Sequence, residues 1–184
     1  MRVLAREFRV PAPSGTRLAV YDAAVPTERI RAAWARDEPV LNGWLTLEGR
    51  ASAAAMAAAG FGAVTLDLQH GAASPEDAAE ILAAIEASGS VPLVRPRWND
   101  PGEIMRLLDV GARGVVCPMI GSRAEAEALV AAGRYPPDGV RSYGPVRGAL
   151  GPGAEHVRRA NDATLTPEPT SEASKSLAAS GPPR

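Results

Sequence analysis

The stretch Ala63-Val-Thr-Leu-Asp-Leu-Gln-His-Gly71 runs from apolar residues into an acid, an amide, a histidine and a glycine. A barrel strand that delivers a polar side chain to its C-terminal rim has this form. His70 is one of two histidines in the chain, and an imidazole exchanges protons near neutral pH without help from its surroundings. Asp67 and Gln69 flank it, and Gly71 allows a tight exit from the strand. His70 therefore reads either as a general base at a strand end or as a histidine hydrogen-bonded in a loop. The second histidine, His156, lies close to a tail without structural periodicity.

Arg95 closes the next apolar run, in Leu93-Val-Arg-Pro-Arg97. An arginine at a strand end on the same rim as His70 can bind a carboxylate with its planar fork. It can equally pair with a neighbouring acid. Pro96 favours an extended exit, and Arg97 reads as a surface charge. Asp109 ends an apolar helix face in Leu107-Leu-Asp-Val-Gly111, where a carboxylate is costly unless it is paired. Its place at a helix C-terminus puts it near the opposite end of the strands from His70. Cys117 reads as a small buried apolar residue rather than a nucleophile, because no second rim histidine is visible to activate it. Pro118-Met119 is open between ligand wall and plain turn. Arg134-Tyr-Pro-Pro and Arg141-Ser-Tyr are open between an anion or subunit contact and an ordinary surface loop.

Composition narrows the chemistry. Of 20 basic residues only Lys175 is a lysine, and it lies in the polar tail. A Schiff base needs a lysine amine held in a pocket, so carbonyl chemistry here falls to arginine, backbone donors or a metal ion. The net charge of −1 gives no nucleic-acid or membrane-surface footprint. Apolar runs are short and Ala-rich, below the length that spans a bilayer. A single cysteine excludes an internal disulfide and a cysteine-rich zinc site. A cytoplasmic protein is the expectation.

These residues need elements to position them, and a rhythm of four β–α units supplies them from residue 40 onward. Strands are expected at Val40–Thr46, Ala63–Leu68, Val91–Val94 and Gly114–Cys117, as short continuous apolar runs of the kind buried on both faces. Helices are expected at Ala51–Ala59, from Pro75 to about Ala87 behind a capping Ser74, and from Pro101 to about Val110. A further helix is expected from Arg123 to Ala132 behind Ser122. Gly60, Gly89, Gly111 and Gly133 stop them. Ahead of this, Thr27 can cap a short helix through Trp34, which either covers one end of a barrel or belongs to an extended start. One more short helix fits residues 154–161, and residues 163–184 have the Pro, Ser, Thr and Glu composition of a disordered tail. Residues 1–37 thus form an N-terminal extension, 38–162 the folded unit and 163–184 the tail. Periodicity does not separate a (β/α)₈ barrel from an open doubly wound sheet. The missing Gly-x-Gly-x-x-Gly weakens a dinucleotide-binding reading.

Taken together, Gly43-Trp-Leu45, Ala59-Gly-Phe61, Leu66-Asp-Leu-Gln-His-Gly71, Val94-Arg-Pro-Arg-Trp-Asn-Asp-Pro101, Leu107-Leu-Asp-Val-Gly111, Val116-Cys-Pro-Met119, Arg134-Tyr-Pro-Pro-Asp-Gly139 and Arg141-Ser142 resemble the HpcH/HpaI aldolase family, the metal-dependent (class II) pyruvate aldolases. The resemblance covers roughly residues 38–162. It implies a (β/α)₈ TIM barrel, here partial with about four βα units, that assembles into homo-oligomers. It implies reversible cleavage of 4-hydroxy-2-oxo acids to pyruvate and an aldehyde, assisted by Mg²⁺ or Mn²⁺. It assigns His70 as the base and Arg95 as the group that binds the 2-oxo acid and stabilises negative charge. Asp109 is assigned to raising the basicity of the histidine, and Trp44 to lining the substrate site.

The family draws its metal carboxylates from a Gln-x-Glu motif and a Gly-Pro-x-Asp-Leu motif, and neither occurs here. The segment Glu155-His-Val-Arg-Arg-Ala-Asn-Asp162 matches the helix ahead of the first of them. The chain is thus expected to be C-terminally truncated and impaired as a lyase. The alternative is a non-catalytic fragment that binds a 2-oxo acid or serves in oligomer assembly.

Overall fold

A computed structural model of the chain describes residues 26–146 and 153–163. The expected extension ahead of residue 26 and the expected disordered tail from residue 164 lie outside the described residues.

The described chain alternates strand and helix. Helix α1 (Pro26–Ala35) leads into β1 (Asn42–Leu45), α2 (Arg50–Ala58), β2 (Ala63–Asp67), α3 (Ala78–Ala87) and β3 (Val91–Arg95). Then follow α4 (Pro101–Asp109), β4 (Gly114–Val115), α5 (Arg123–Gly133) and α6 (Gly153–Ala163). The four strands are all parallel and lie in the order β1-β2-β3-β4. A doubly wound sheet reverses direction at a switch point. This sheet adds each strand beside the last, as a barrel does, so the units form an arc of a (β/α)₈ barrel. Strand order settles what periodicity left open.

The two faces of the sheet separate by residue parity. Leu45, Val64, Leu66 and Val94 join Ala53, Ile81, Leu82, Ile85, Ile104, Leu107 and Leu129 in the main core between strands and helices. The alternate set, Ala63, Val91 and Leu93, forms a second cluster with Ile30 of α1, flanked by Trp34 and Val40. Ala63 and Val91 begin their strands, so α1 packs under the N-terminal end of the barrel interior. Arg29 Nη1 donates to the Gly89 carbonyl at 3.3 Å and fixes the same end. Of the two readings of this segment, the helix that covers a barrel end is the observed one.

Local signals act largely as expected. Asp100 caps α4, its carboxylate accepting from the Glu103 N–H at 2.7 Å, with Pro101 in the first turn. Ser122 caps α5 through the Glu125 N–H at 3.2 Å. Two caps differ. The Ser74 hydroxyl donates to Asp77 Oδ2 at 2.8 Å instead of accepting from the helix, and α3 starts at Ala78, after Pro75. The carboxylate is the stronger acceptor and takes the Ser74 N–H as well, at 2.9 Å. Thr27 lies within α1, buried, its Oγ1 without a hydrogen-bond partner among the described residues. Strand β4 is shorter than expected. Its ladder ends where Val116 N–H donates to the Val94 carbonyl at 2.8 Å, just ahead of Pro118.

Candidate active site

Parallel strands present all their C-terminal ends on one rim, and there β1, β2 and β3 bring Trp44, His70 and Arg95 together around Asp67. Asp67 and Arg95 are register partners at the last positions of β2 and β3. Arg95 grips the carboxylate with two N–H groups, Nε to Oδ1 at 2.8 Å and Nη2 to Oδ2 at 2.5 Å. Trp44, on the inward side of β1, donates its indole N–H to Asp67 Oδ2 at 3.2 Å. The Arg95 guanidinium lies 5.0 Å from the Trp44 ring centre, within cation–π range. One layer deeper, Asn42 and Thr65 exchange side-chain hydrogen bonds at 2.9 and 3.1 Å. The barrel-facing side is thus polar toward the rim and apolar where α1 covers it.

The exit of β2 closes over this layer. Backbone N–H groups of Gln69 and His70 both donate to Asp67 Oδ1, at 3.0 and 3.2 Å. The turn passes so close to the strand that a Cβ on Gly71 would collide with the Asp67 carbonyl oxygen. The Ala72 N–H then donates to the Thr46 carbonyl at 2.8 Å, tying the turn to the end of β1. His70 is exposed on the rim.

The electrostatics of the layer centre on Asp67, which is 1% exposed. Burial opposes its charge, but the Arg95 fork, the His70 N–H, the Trp44 indole and the Gln69 N–H outweigh it. Together they hold the carboxyl well below the usual carboxylate range. Sequence reading treated Asp67 only as a neighbour of His70. Its place two and three residues ahead of Gln69 and His70 allows a carboxylate to accept from the turn that follows it, but nothing local marks the partners from β1 and β3.

Asp109 is not brought to this group. At the C-terminus of α4 its Oδ1 accepts from Arg141 Nη2 at 2.8 Å. The Arg141 guanidinium lies 4.6 Å from the Tyr135 ring centre, and Tyr135 meets His156 at 3.2 Å between hydroxyl and Nε2. Tyr135, Arg141 and His156 are all buried. Tyr135 and Arg141 turn inward from a loop whose other residues are mostly exposed, and His156 lies within helix α6 with its side chain buried.

The remaining rim residues sort simply. Arg97 pairs with Glu103 at 3.0 Å with its side chain largely exposed, the surface charge expected. Cys117 packs against the main core, and burial with the nearby Glu103 carboxylate raises its thiol to about 11. It is protonated at neutral pH, which suits an inert core residue. Met119 has φ 57° and stands exposed in the loop between β4 and α5.

The chain is similar to known proteins. The HpcH/HpaI aldolase/citrate lyase family model matches residues 42–175. The hydroxypyruvate/pyruvate aldolase of Rhizorhabdus wittichii is 41% identical over 137 residues, covering 74% of this chain and 55% of that protein. The 4-hydroxy-2-oxo-heptane-1,7-dioate aldolase of Salmonella dublin is 42% identical over 106 residues, 58% of this chain and 40% of its own length. Among solved structures, an HpcH/HpaI aldolase/citrate lyase family protein from Burkholderia cenocepacia J2315 superposes with a TM-score of 0.64 at 30% identity. That match covers 75% of this chain and 56% of the other. The chain spans about half the length of the curated relatives it matches. Singly wound parallel strands, a rim of acid, arginine, tryptophan and histidine, and a family match over most of the chain lead to one assignment: the chain belongs to the HpcH/HpaI aldolase/citrate lyase family.

Proposed function

We propose that the rim is a 2-oxo-acid site of the pyruvate-aldolase type, acting in reversible cleavage of 4-hydroxy-2-oxo acids to pyruvate and an aldehyde. The observation that carries this reading is the shared rim. Arg95 ends β3, His70 follows β2, and one carboxylate, Asp67, touches both strand exits. In such a cleavage the C4 hydroxyl loses its proton, the C3–C4 bond breaks, and its electron pair becomes the pyruvate enolate. The enolate then takes a proton at C3. His70 is the residue for the proton, open to solvent and substrate on the rim. Arg95 offers its remaining N–H donors to oxygens that gain negative charge. Trp44 forms the wall beside it, partly exposed.

The resemblance also implies Mg²⁺ or Mn²⁺, which take oxygen ligands. Among the described residues no three His, Cys, Asp or Glu side chains gather into a cation site. Both oxygens of Asp67 already accept from Arg95, Trp44 and the backbone. These residues do not form a cradle for the ion.

A second reading, 2-oxo-acid binding or assembly without turnover, is favoured by two observations. The Asp67 carboxylate is committed to Arg95, and β1 and β4 each pair on one side only within the described sheet. Open parallel edges invite a second copy, in keeping with the oligomers implied by the resemblance. The location proposed is the cytoplasm, consistent with a lone free cysteine. No helix among the described residues is long and apolar enough to cross a membrane.

Deuterium exchange at the methyl group of pyruvate, followed by NMR with Mg²⁺ present, separates the readings. Exchange that disappears in both His70→Ala and Arg95→Ala is the outcome expected of the lyase site. Calorimetric binding of oxalate without exchange leaves the binding reading in its place. An absence of both overturns the oxo-acid site. Light scattering on the same sample reports the assembly state, and a strict monomer removes the oligomer.

A further inference from the structure

Asp67 has more contacts than a charge partner for Arg95 requires. Its carboxylate accepts from five donors on three consecutive strand ends. These are Trp44 Nε1 from β1, the Gln69 and His70 N–H groups from the β2 exit, and Arg95 Nε and Nη2 from β3. The oxygens divide the work. Oδ1 takes the two backbone N–H groups and Arg95 Nε, while Oδ2 takes Trp44 and Arg95 Nη2. Nothing else in the described rim links the His70 turn to the Arg95 side chain.

We infer that Asp67 is the positioning residue of this site, the single group that sets the imidazole-bearing turn and the guanidinium at a fixed separation. The inference rests on the oxo-acid reading of the site and deepens it. Of the five N–H donors of an arginine, two engage Asp67, which leaves three. Engagement through Nε and one edge of Nη2 leaves the Nη1–Nη2 end free, and that end is the fork that meets a carboxylate or enolate. The Arg95 side chain is 21% exposed. A long side chain that must sample rotamers binds a small anion weakly. One clamped along its inner edge and stacked on Trp44 has given up that freedom before the ligand arrives. Because Oδ1 also holds the His70 N–H, loss of the carboxylate frees both partners at once. A residue that merely neutralised Arg95 would not have that effect.

The test uses the full chain as wild type, Asp67→Asn, Arg95→Ala and the double variant. Hydrogen exchange is read by NMR at the Gln69 and His70 amides and at Arg95 Nε–H, and oxalate affinity by calorimetry with Mg²⁺ present. In wild type all three protons are expected to be protected. In Asp67→Asn all three are expected to exchange faster together, by about tenfold or more, while the Val64 amide is unchanged. Oxalate affinity is expected to fall about tenfold in Asp67→Asn and no further when Asp67→Asn is added to Arg95→Ala, because the effect runs through the guanidinium. Asparagine that loosens Arg95 but leaves the His70 amide protected overturns the assignment, as do additive losses in the double variant. If Asp67→Asn does not fold, wild type alone decides. An Arg95 Nε–H that exchanges as fast as that of the exposed Arg123 overturns the clamp, and protection matching that of the Gln69 and His70 amides upholds it. Wild type that binds no oxalate removes the oxo-acid reading, and the exchange data still judge the clamp. Oxalate binding indifferent to Asp67→Asn removes the inference and leaves the reading intact.

Discussion

Asp67 and Asp109 are both buried carboxylates, and each pairs with an arginine. Asp67 faces the rim and shares its partner with solvent. Asp109 faces inward, and its pair with Arg141 is closed, with side-chain exposures of 12% and 3%. A buried pair of this kind is weak evidence of net stabilisation, but breaking it leaves a charge without a partner. Arg141→Ala is therefore expected to destabilise the fold by about 3–5 kcal/mol in urea denaturation. The exposed pair Arg123–Glu127 sets the contrast, and Arg123→Ala should leave the midpoint unchanged within error. Equal effects from the two variants would show that the Asp109 environment is wetter than its packing implies. The Asp109 pair also explains why a carboxylate can end an apolar helix face. Leu107 and Leu108 bury the helix, and Arg141 supplies the charge that burial would otherwise leave uncompensated.

At the scale of elements, helix α1 determines whether the barrel-facing side of the sheet is shielded. Parallel strands buried on both faces need cover on each side. Helices α2 to α5 cover one, and Ile30 with Trp34 covers the start of the other, against Ala63, Val91 and Leu93. Ile30 is 2% exposed, so Ile30→Ala leaves a cavity and is expected to cost about 2–5 kcal/mol, read as a lower urea midpoint. The lesion lies at the N-terminal ends of the strands, away from Arg95. Oxalate affinity should therefore stay within about twofold of wild type, as expected for distant sites. Loss of binding in a folded Ile30→Ala protein would show that the two ends of the barrel interior are coupled.

Across the whole molecule, a pair of side-chain hydrogen bonds ties α6 to the α5 exit. The side chain of Asn161 accepts from the Tyr135 N–H at 2.8 Å and donates to the Tyr135 carbonyl at 3.2 Å. His156 closes the contact against the rings of Tyr135 and Tyr143. Burial disfavours the imidazolium, the Arg141 guanidinium adds to this, Asp109 opposes it, and Arg113 reinforces it, so the His156 pKa lies below its usual value. A base whose pKa is depressed by folding binds its proton more readily in the unfolded chain. Stability is therefore complete above the ordinary histidine pKa of about 6.5 and falls as pH drops below it. Thermal midpoints measured between neutral pH and about pH 5 should decline in wild type and flatten in His156→Gln, which keeps a hydrogen-bonding side chain at Tyr135. A wild-type profile as flat as that of the variant would remove His156 as the source.

Local patterns in the chain were enough for the β–α alternation, the caps of α4 and α5, and the placement of His70 and Arg95 on strand exits. Each depends on neighbours within a few residues: an apolar run, an Asp before Pro101, a serine before Arg123. The family assignment rested on the same stretches. Tertiary structure decided what depends on residues far apart in sequence. Strand order chose the barrel over the open sheet, because that choice lies in which edges pair. Packing put α1 beneath the interior and moved Tyr135, Arg141 and His156 from apparent surface and tail into a closed cluster. Asp67 became the centre of the rim because its partners come from β1, β2 and β3. A carboxylate three residues before a histidine looks the same in sequence whether it faces solvent or gathers five donors. Only burial and convergence distinguish the two.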